Sequence, residues 1–272
     1  MTGHGWRGWT AAALVAAGSL TTGCEIKAGE GDFSFELAGG KASDSWSRTY
    51  DLPPGGRIEI LNTNGEIRAE AWAGDKVEVT AERSAAATSD DEARALLSAV
   101  QMREEIGAER VRIETVAPKM RLGSHKTSFL VRVPAGVHVD LRTVNGGVRL
   151  ANVGGQVRAS STNGGVRGTI GAATLVEART TNGGVELSLA GALAPDGSVR
   201  LTSVNGGVRL DVPADTRADV SARCTNGRVD VSDLPLAPDG EQTRRRVRGS
   251  LNGGGARIDL QTTNGGVRIG RS

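Results

Sequence analysis

The chain has 272 residues, among them 39 Gly and 8 Pro, with only 3% aromatic residues. That composition suits tight corners and a narrow core and argues against a wide globular interior. Lys and Arg (33) nearly balance Asp and Glu (31) for a formal net charge of +2, so bulk charge gives no drive towards nucleic acid, and no nucleic-acid partner is expected.

Residues 1–23 read as a secretory signal peptide. Arg7 gives a basic start, Ala11 to Leu20 is apolar but too short to span a bilayer, and Thr21-Thr22-Gly23-Cys24 ends the segment. A small residue before a Cys resembles a bacterial lipobox, whose Cys is acylated through its thiol and becomes the mature N-terminus. The lipobox pattern prefers Leu three places before the Cys; here Thr21 stands there and Leu20 one place earlier. The resemblance implies lipid attachment at Cys24, a membrane partner through that anchor and an exported envelope location. Cleavage by ordinary signal peptidase is the other reading. Glu25, in place of the Asp often linked to inner-membrane retention, favours an outer membrane or cell surface. Residues 24–46, with Gly29, Gly31, Gly39, Gly40 and several Ser, read as the anchor and a flexible spacer. A single domain is expected over 47–272.

Within it, Arg57 to Ile60, Lys76 to Thr80, Arg110 to Thr115 and Ser128 to Val133 alternate as strands. Ser89-Asp90-Asp91-Glu92 precedes Ala93 to Met102, which predicts one short helix capped at Ser89 with acidic residues in its first turn. Such a helix would cover one end of a strand stack, or act as a lid over a ligand site.

A repeat then dominates. Asn-Gly corners stand at Asn64, Asn145, Asn163, Asn182, Asn205, Asn226 and Asn264, most of them continuing Gly-Val-Arg. Six places before each Asn stands Ile58, Val139, Val157, Val176, Val199, Val220 or Ile258. Two before it stands Asn62, Thr143, Ser161, Thr180, Ser203, Cys224 or Thr262. Apolar or small residues at every second position give the strand period, and Asn-Gly accepts a positive-φ corner at low cost. Independent hairpins have no reason to keep one residue class at one offset in every copy, whereas stacked coils need it. The expected fold is all-β, a single-chain parallel β-solenoid of about two short strands per coil, with an up-and-down sheet or sandwich as the alternative. Stacked Asn side chains would form a structural turn ladder.

The outward position after each corner carries Arg68, Arg149, Arg167, Glu186, Arg209, Asp230 or Arg268, and an insertion carries Arg244-Arg245-Arg246. Two readings stand: a solvated salt ladder, or an anion-binding strip through Arg149, Arg167, Arg209, Arg244, Arg245 and Arg246. Once Cys24 is used, Cys224 is the remaining thiol and reads as a small packing residue. No HExxH or CxxC surrounds His125 or His138, no nucleotide or GxSxG signature occurs, and Asp140, Asp211 and Asp259 are spread along strands. No metal, no cofactor and no catalytic residue is therefore assigned.

The ordered motifs resemble the DUF4097 putative adhesin family of bacterial envelope proteins. They are Pro54-Gly55-Gly56, a first Thr-Asn-Gly followed by Trp72, a charged helical insertion, Val-Pro-Ala-Gly at 133–136, serial Asn-Gly corners, Gly253-Gly254-Gly255 and a closing Thr263-Asn264-Gly265. The resemblance implies a repetitive β-solenoid, export and an envelope setting, and no defined ligand. The expectation is a non-catalytic, lipid-anchored envelope protein presenting a solenoid surface to a glycan or protein. An envelope structural or assembly module linked to envelope stress is the alternative, with a polysaccharide-cleaving β-helix least favoured.

Overall fold

The computed structural model describes residues 39–118, 123–191, 193–231 and 233–272; the expected signal peptide and Cys24 lie outside them. The first elements are β1 (Gly40–Tyr50), β2 (Arg57–Asn64), β3 (Ile67–Ala71), β4 (Val77–Ala87), α1 (Asp90–Ala99), β5 (Gln101–Ile106), β6 (Arg110–Val116) and β7 (Ser124–Val133). Then come β8 (His138–Asn145), β9 (Val148–Asn163), β10 (Val166–Asn182), β11 (Val185–Leu189), β12 (Ser198–Asn205) and β13 (Val208–Val212). The chain closes through β14 (Ala218–Asn226), β15 (Val229–Val231), β16 (Leu236–Pro238), β17 (Arg246–Leu251), β18 (Ala256–Asn264) and β19 (Val267–Arg271).

These strands form the expected parallel solenoid. One face, the approach sheet, holds the strands that run into the Asn-Gly corners, in the order β6, β2, β8, β9, β10, β12, β18, β14. The other, the return sheet, holds the strands that leave them, in the order β7, β3, β9, β10, β11, β13, β19, β15. β9 and β10 serve both sheets because each continues through the far corner without a break, with register shifts there. Identical residue classes lie in register: Val139 on Val157, Val157 on Val176, Val176 on Val199 and Val199 on Ile258. One hydrophobic core runs between the sheets, and Ile58, Ile60, Leu141, Leu201, Leu210, Ile258 and Leu260 are fully buried in it. Burying each such side chain contributes roughly 1.5–3 kcal/mol. That burial, repeated coil upon coil, is what a thin core needs in order to outweigh the ordering of its chain.

The order of coils departs from the order of the chain. β18 and β19, the last strands, lie between the β12–β13 coil and the β14–β15 coil. At the other end β2 lies between β6 and β8, and β3 between β7 and β9. Beyond β7 the return sheet continues antiparallel through β4 to β1. The approach sheet ends antiparallel at one end in β5 on β6, and at the other in β17 on β14 with β16 outside it.

Two expectations shift. Residues 40–46 are not spacer: β1 begins at Gly40 and pairs along its whole length with β4, from Gly40 opposite Ala87 to Tyr50 opposite Val77. Polar alternation hid this strand, because only its ends are buried and its middle exposes Ser, Asp and Arg. The helix starts as anticipated, with Ser89 accepting from Glu92 N over 3.3 Å, but it ends at Ala99 and not at Met102. Val100 is already extended, and Gln101 to Ile106 pair with β6. The helix lays Leu96 and Leu97 over Ala85 and Ala42, so it covers the β1–β4 extension.

Candidate functional surface

The seven Asn-Gly corners of the repeat stack one on the next. Asn145 donates through Nδ2 to Asn64 Oδ1 over 2.7 Å, Asn163 to Asn145 over 2.8 Å, Asn182 to Asn163 over 2.8 Å and Asn205 to Asn182 over 2.9 Å. Asn264 then donates to Asn205 and Asn226 to Asn264, each over 2.8 Å. The amides all point the same way, so one end of the ladder presents a surplus N–H. That donor, Asn64 Nδ2, meets His125 Nε2 at 3.3 Å. The contact requires Nε2 to be the unprotonated acceptor, and burial lowers the His125 pKa in the same sense.

Behind the Asn column runs a second one. Thr143, Ser161, Thr180, Ser203 and Thr262 each donate a hydroxyl to the first Gly carbonyl of the adjacent corner, at 2.7–3.0 Å. Asn62 fills the equivalent place at one end with bonds to the Gly65 and Thr127 carbonyls, and Cys224, 7% exposed, fills it at the other. The first Gly of each corner is required by contact as well as conformation. A Cβ on Gly164, at φ 154°, would stand 2.1 Å from the Gly146 oxygen. The Asn residues at the repeat are therefore structural, and their column forms one continuous polar edge of the solenoid.

The six arginines of the expected strip do not form one surface. Arg149, Arg167 and Arg209 lie on the outer face of the return sheet, where Glu186 stands between Arg167 and Arg209. Each has a carboxylate partner: Arg149 with Glu66 at 2.7 Å, Arg167 with Glu186 at 3.3 Å and Arg209 with Asp211 at 2.9 Å. The Asp211 carboxylate raises the Arg209 pKa. This column is a paired salt ladder on an exposed face, and each exposed pair contributes little to stability.

Arg244, Arg245 and Arg246 lie at the far end of the approach sheet. Their backbone finishes the stack. In interior corners the Val amide bonds to the next coil, as Val148 N does to Gly165 O at 2.9 Å. Among the described residues the terminal coil has no next coil, so Val229 N bonds to Arg244 O and Cys224 N to Arg245 O, each at 2.9 Å. The side chains are thereby left outside. Arg246 stands opposite Arg223, and Arg248 opposite Ser221, while Arg223 Nη2 donates to Gln261 Oε1 at 2.7 Å. Among the described residues Arg244, Arg245, Arg246 and Arg248 make no ion pair. The segment from Asp239 to Thr243 folds back beside them, held by Gln242 on both backbone groups of Arg248, and a pocket of about 500 Å³ opens between.

Arg223 and Gln261 were absent from the sequence-based set. The alternation of Arg246, Val247 and Arg248 marks a strand with both arginines on one side. Gln261 could not be placed next to Arg223 without knowing that β18 inserts beside β14. Among the described residues no group of three or more His, Cys, Asp or Glu is arranged to hold a metal, and no helix is long and apolar enough to cross a membrane.

Three solved structures are similar to this chain. One is described as a putative cell adhesion protein from Clostridium sporogenes, at 10% identity and TM-score 0.47, covering 84% of this chain and 100% of that one. Another is a putative adhesin from Bacteroides fragilis, at 11% identity and TM-score 0.36, covering 83% and 97%. A third, from Parabacteroides distasonis, is described as a putative lipid binding protein, at 6% identity and TM-score 0.28, covering 84% and 95%. Comparison with curated proteins gave no match. The family model described as Toastrack DUF4097 matches residues 24–270, nearly the whole chain, and the protein belongs to that family.

Proposed function

We propose that this protein is a non-catalytic, lipid-anchored component of the cell envelope whose solenoid presents a long polar surface to a ligand outside it. The observation that carries this reading is the continuity of the stack: seven corners joined amide to amide over a single sealed core. Such a stack holds its outward side chains in fixed register and leaves recognition to the exterior. The arginine-rich end, whose guanidinium groups have no carboxylate partner among the described residues, supplies the chemistry. Anchoring through Cys24, after export, would place that surface at the membrane boundary, since acyl chains hold a protein there when more than one is attached.

The test is protease shaving of intact cells that carry tagged wild type or Cys24→Ser. Cleavage of the wild type on whole cells, with the variant released in soluble form, supports display on the surface. Protection until the envelope is opened moves the function inward, and retention of the Cys24→Ser variant in the membrane fraction would sink the anchor.

A second reading, an envelope assembly module, draws on the edge of β1. Its 11 residues pair only with β4, so its other edge offers unpaired backbone groups among the described residues. Concentration-dependent oligomers that vanish on Ser45→Pro would favour it.

A further inference from the structure

We infer that the groove at the arginine-rich end of the solenoid binds an acidic polysaccharide of the uronate type, with one carboxylate among several hydroxyls on each sugar. This rests on the binding reading above and gives it a ligand class.

Two openings of about 500 and 470 Å³ adjoin there and share Asp239 and Arg248 in their walls. Together they trace an elongated concave track over β14, β17 and β18, longer than a single ion needs. Arg245, Arg246 and Arg248 line the first opening without carboxylate partners among the described residues. Their guanidinium groups can take a carboxylate through paired N–H donors. Unpaired arginines in a concave wall contrast with the return-sheet column, where Arg149, Arg167 and Arg209 are already paired.

The acids in the same walls select among polyanions. Asp239 and Glu241 border the first opening, and Asp219, Asp239 and Asp259 the second. A chain with several sulfates or phosphates on each unit, and few hydroxyls left, would meet these carboxylates in repulsion. A uronate polymer meets them with the hydroxyls of each sugar, which donate to carboxylate oxygens, and sets its single acid group per sugar against the arginines. Gln261, with its amide oxygen already accepting from Arg223, keeps its NH₂ as a further donor on the same face. The backbone here is fixed, because the Arg244 and Arg245 carbonyls close the terminal corner.

The experiment measures binding of oligogalacturonate to the full chain by calorimetry, beside dextran sulfate, inorganic phosphate and neutral dextran. The variants are Arg245→Ala/Arg246→Ala and, as a control, Arg149→Ala/Arg167→Ala. Both keep the backbone bonds, and matching thermal melts verify that the fold is kept. Oligogalacturonate should bind with a salt-weakened affinity that falls about tenfold or more in the first variant and stays unchanged in the control. Absence of oligogalacturonate binding, an equal loss in both variants, or tighter binding of dextran sulfate or phosphate would overturn the inference. Retention on isolated cell envelopes separates the two levels. If the wild type and the Arg245→Ala/Arg246→Ala variant are retained equally, the groove is refuted while the binding reading stands. If oligogalacturonate binds but envelopes do not retain the wild type, the groove stands and that reading falls.

Discussion

Asn264 donates its amide to Asn205 over 2.8 Å, and Asn226, the corner that follows Asn205 in the chain, bonds to Asn264 instead. The last coil of the sequence is therefore an interior coil of the stack. The β14–β17 segment folds outwards first in sequence, and the C-terminal residues fill the gap that it leaves. Assembly cannot run simply from one end to the other, because the terminal coil has no partner surface until β18 and β19 are in place.

Deleting residues 256–272 should thus disrupt more than one coil. The deletion removes Ile258, Leu260, Val267 and Ile269, which are all buried, for on the order of 6–12 kcal/mol of burial. It also strands β14 and β15 without their parallel neighbours. A loss of that size rivals the stability of a typical domain, so the truncated chain should lose its cooperative melt and the protease resistance of residues 218–251. A deletion variant that melted like the full chain would show that the insertion is not needed to hold the end.

The repeat made the solenoid legible, since an inward Val, a small hydroxyl residue and an Asn at fixed offsets can be read from spacing alone. The order of coils was encoded less openly, at the second corner Gly. Corners inside the Asn ladder carry Gly there, where an added Cβ would approach the next coil's backbone, as on Gly165 at 3.1 Å from Gly184 O and on Gly266 at 3.4 Å from Arg228 O, while the ladder's two end corners, Asn64-Gly65-Glu66 and Asn226-Gly227-Arg228, lack it. Asn226-Gly227-Arg228 departs from Gly-Gly, and Arg228 belongs to the terminal coil; Asn264-Gly265-Gly266 keeps Gly-Gly, and it is interior. Partners across coils, such as Arg149 with Glu66 or Arg223 with Gln261, depend on that order and on residues far apart in the chain. β1 was hidden for another reason: its outward positions and much of its covered side carry Ser, Asp and Gly, so no hydrophobic period stands out to read.

The two corner glycines should differ in cost. Gly164→Ala places a methyl 2.1 Å from the Gly146 oxygen at a φ of 154°, which the rigid coil can relieve only by shifting backbone. A loss of about 3 kcal/mol or more is expected, in the upper range for single substitutions. Gly165→Ala meets its neighbour at 3.1 Å and should cost about 1 kcal/mol. Urea midpoints of the two variants measure this, and equal losses would mean that the coils can slide apart.

Cys224 stands at the end of the hydroxyl column and makes no side-chain hydrogen bond among the described residues. A Ser there could donate to the neighbouring Gly carbonyl as Ser203 does. Cys224→Ser should accordingly be neutral or add up to about 1 kcal/mol, while Cys224→Val should cost more by crowding the corner. Thermal melts of both variants decide it; a Ser variant destabilised by several degrees would give the thiol a packing role that the column does not explain.

The first rung of the ladder gives a pH dependence with a sign that one substitution should reverse. His125 accepts from Asn64 Nδ2, and burial lowers its pKa below the ordinary value near 6.5. The unfolded chain then binds the proton more readily, so this contribution is complete above about pH 6.5 and is lost as pH falls towards the folded pKa. Asn64→Asp still accepts from Asn145, but it offers His125 a carboxylate in place of a donor. The imidazolium becomes the favoured partner and the His125 pKa rises, so the contribution is present at low pH and is lost as pH rises through the new folded pKa. His138, whose pKa burial also lowers, is common to both proteins and cancels in the difference. Urea midpoints at pH 5.5 and 7.5 should show the wild type gaining stability with pH and the variant gaining less or losing it. Parallel pH profiles for the two would mean that His125 does not close the ladder.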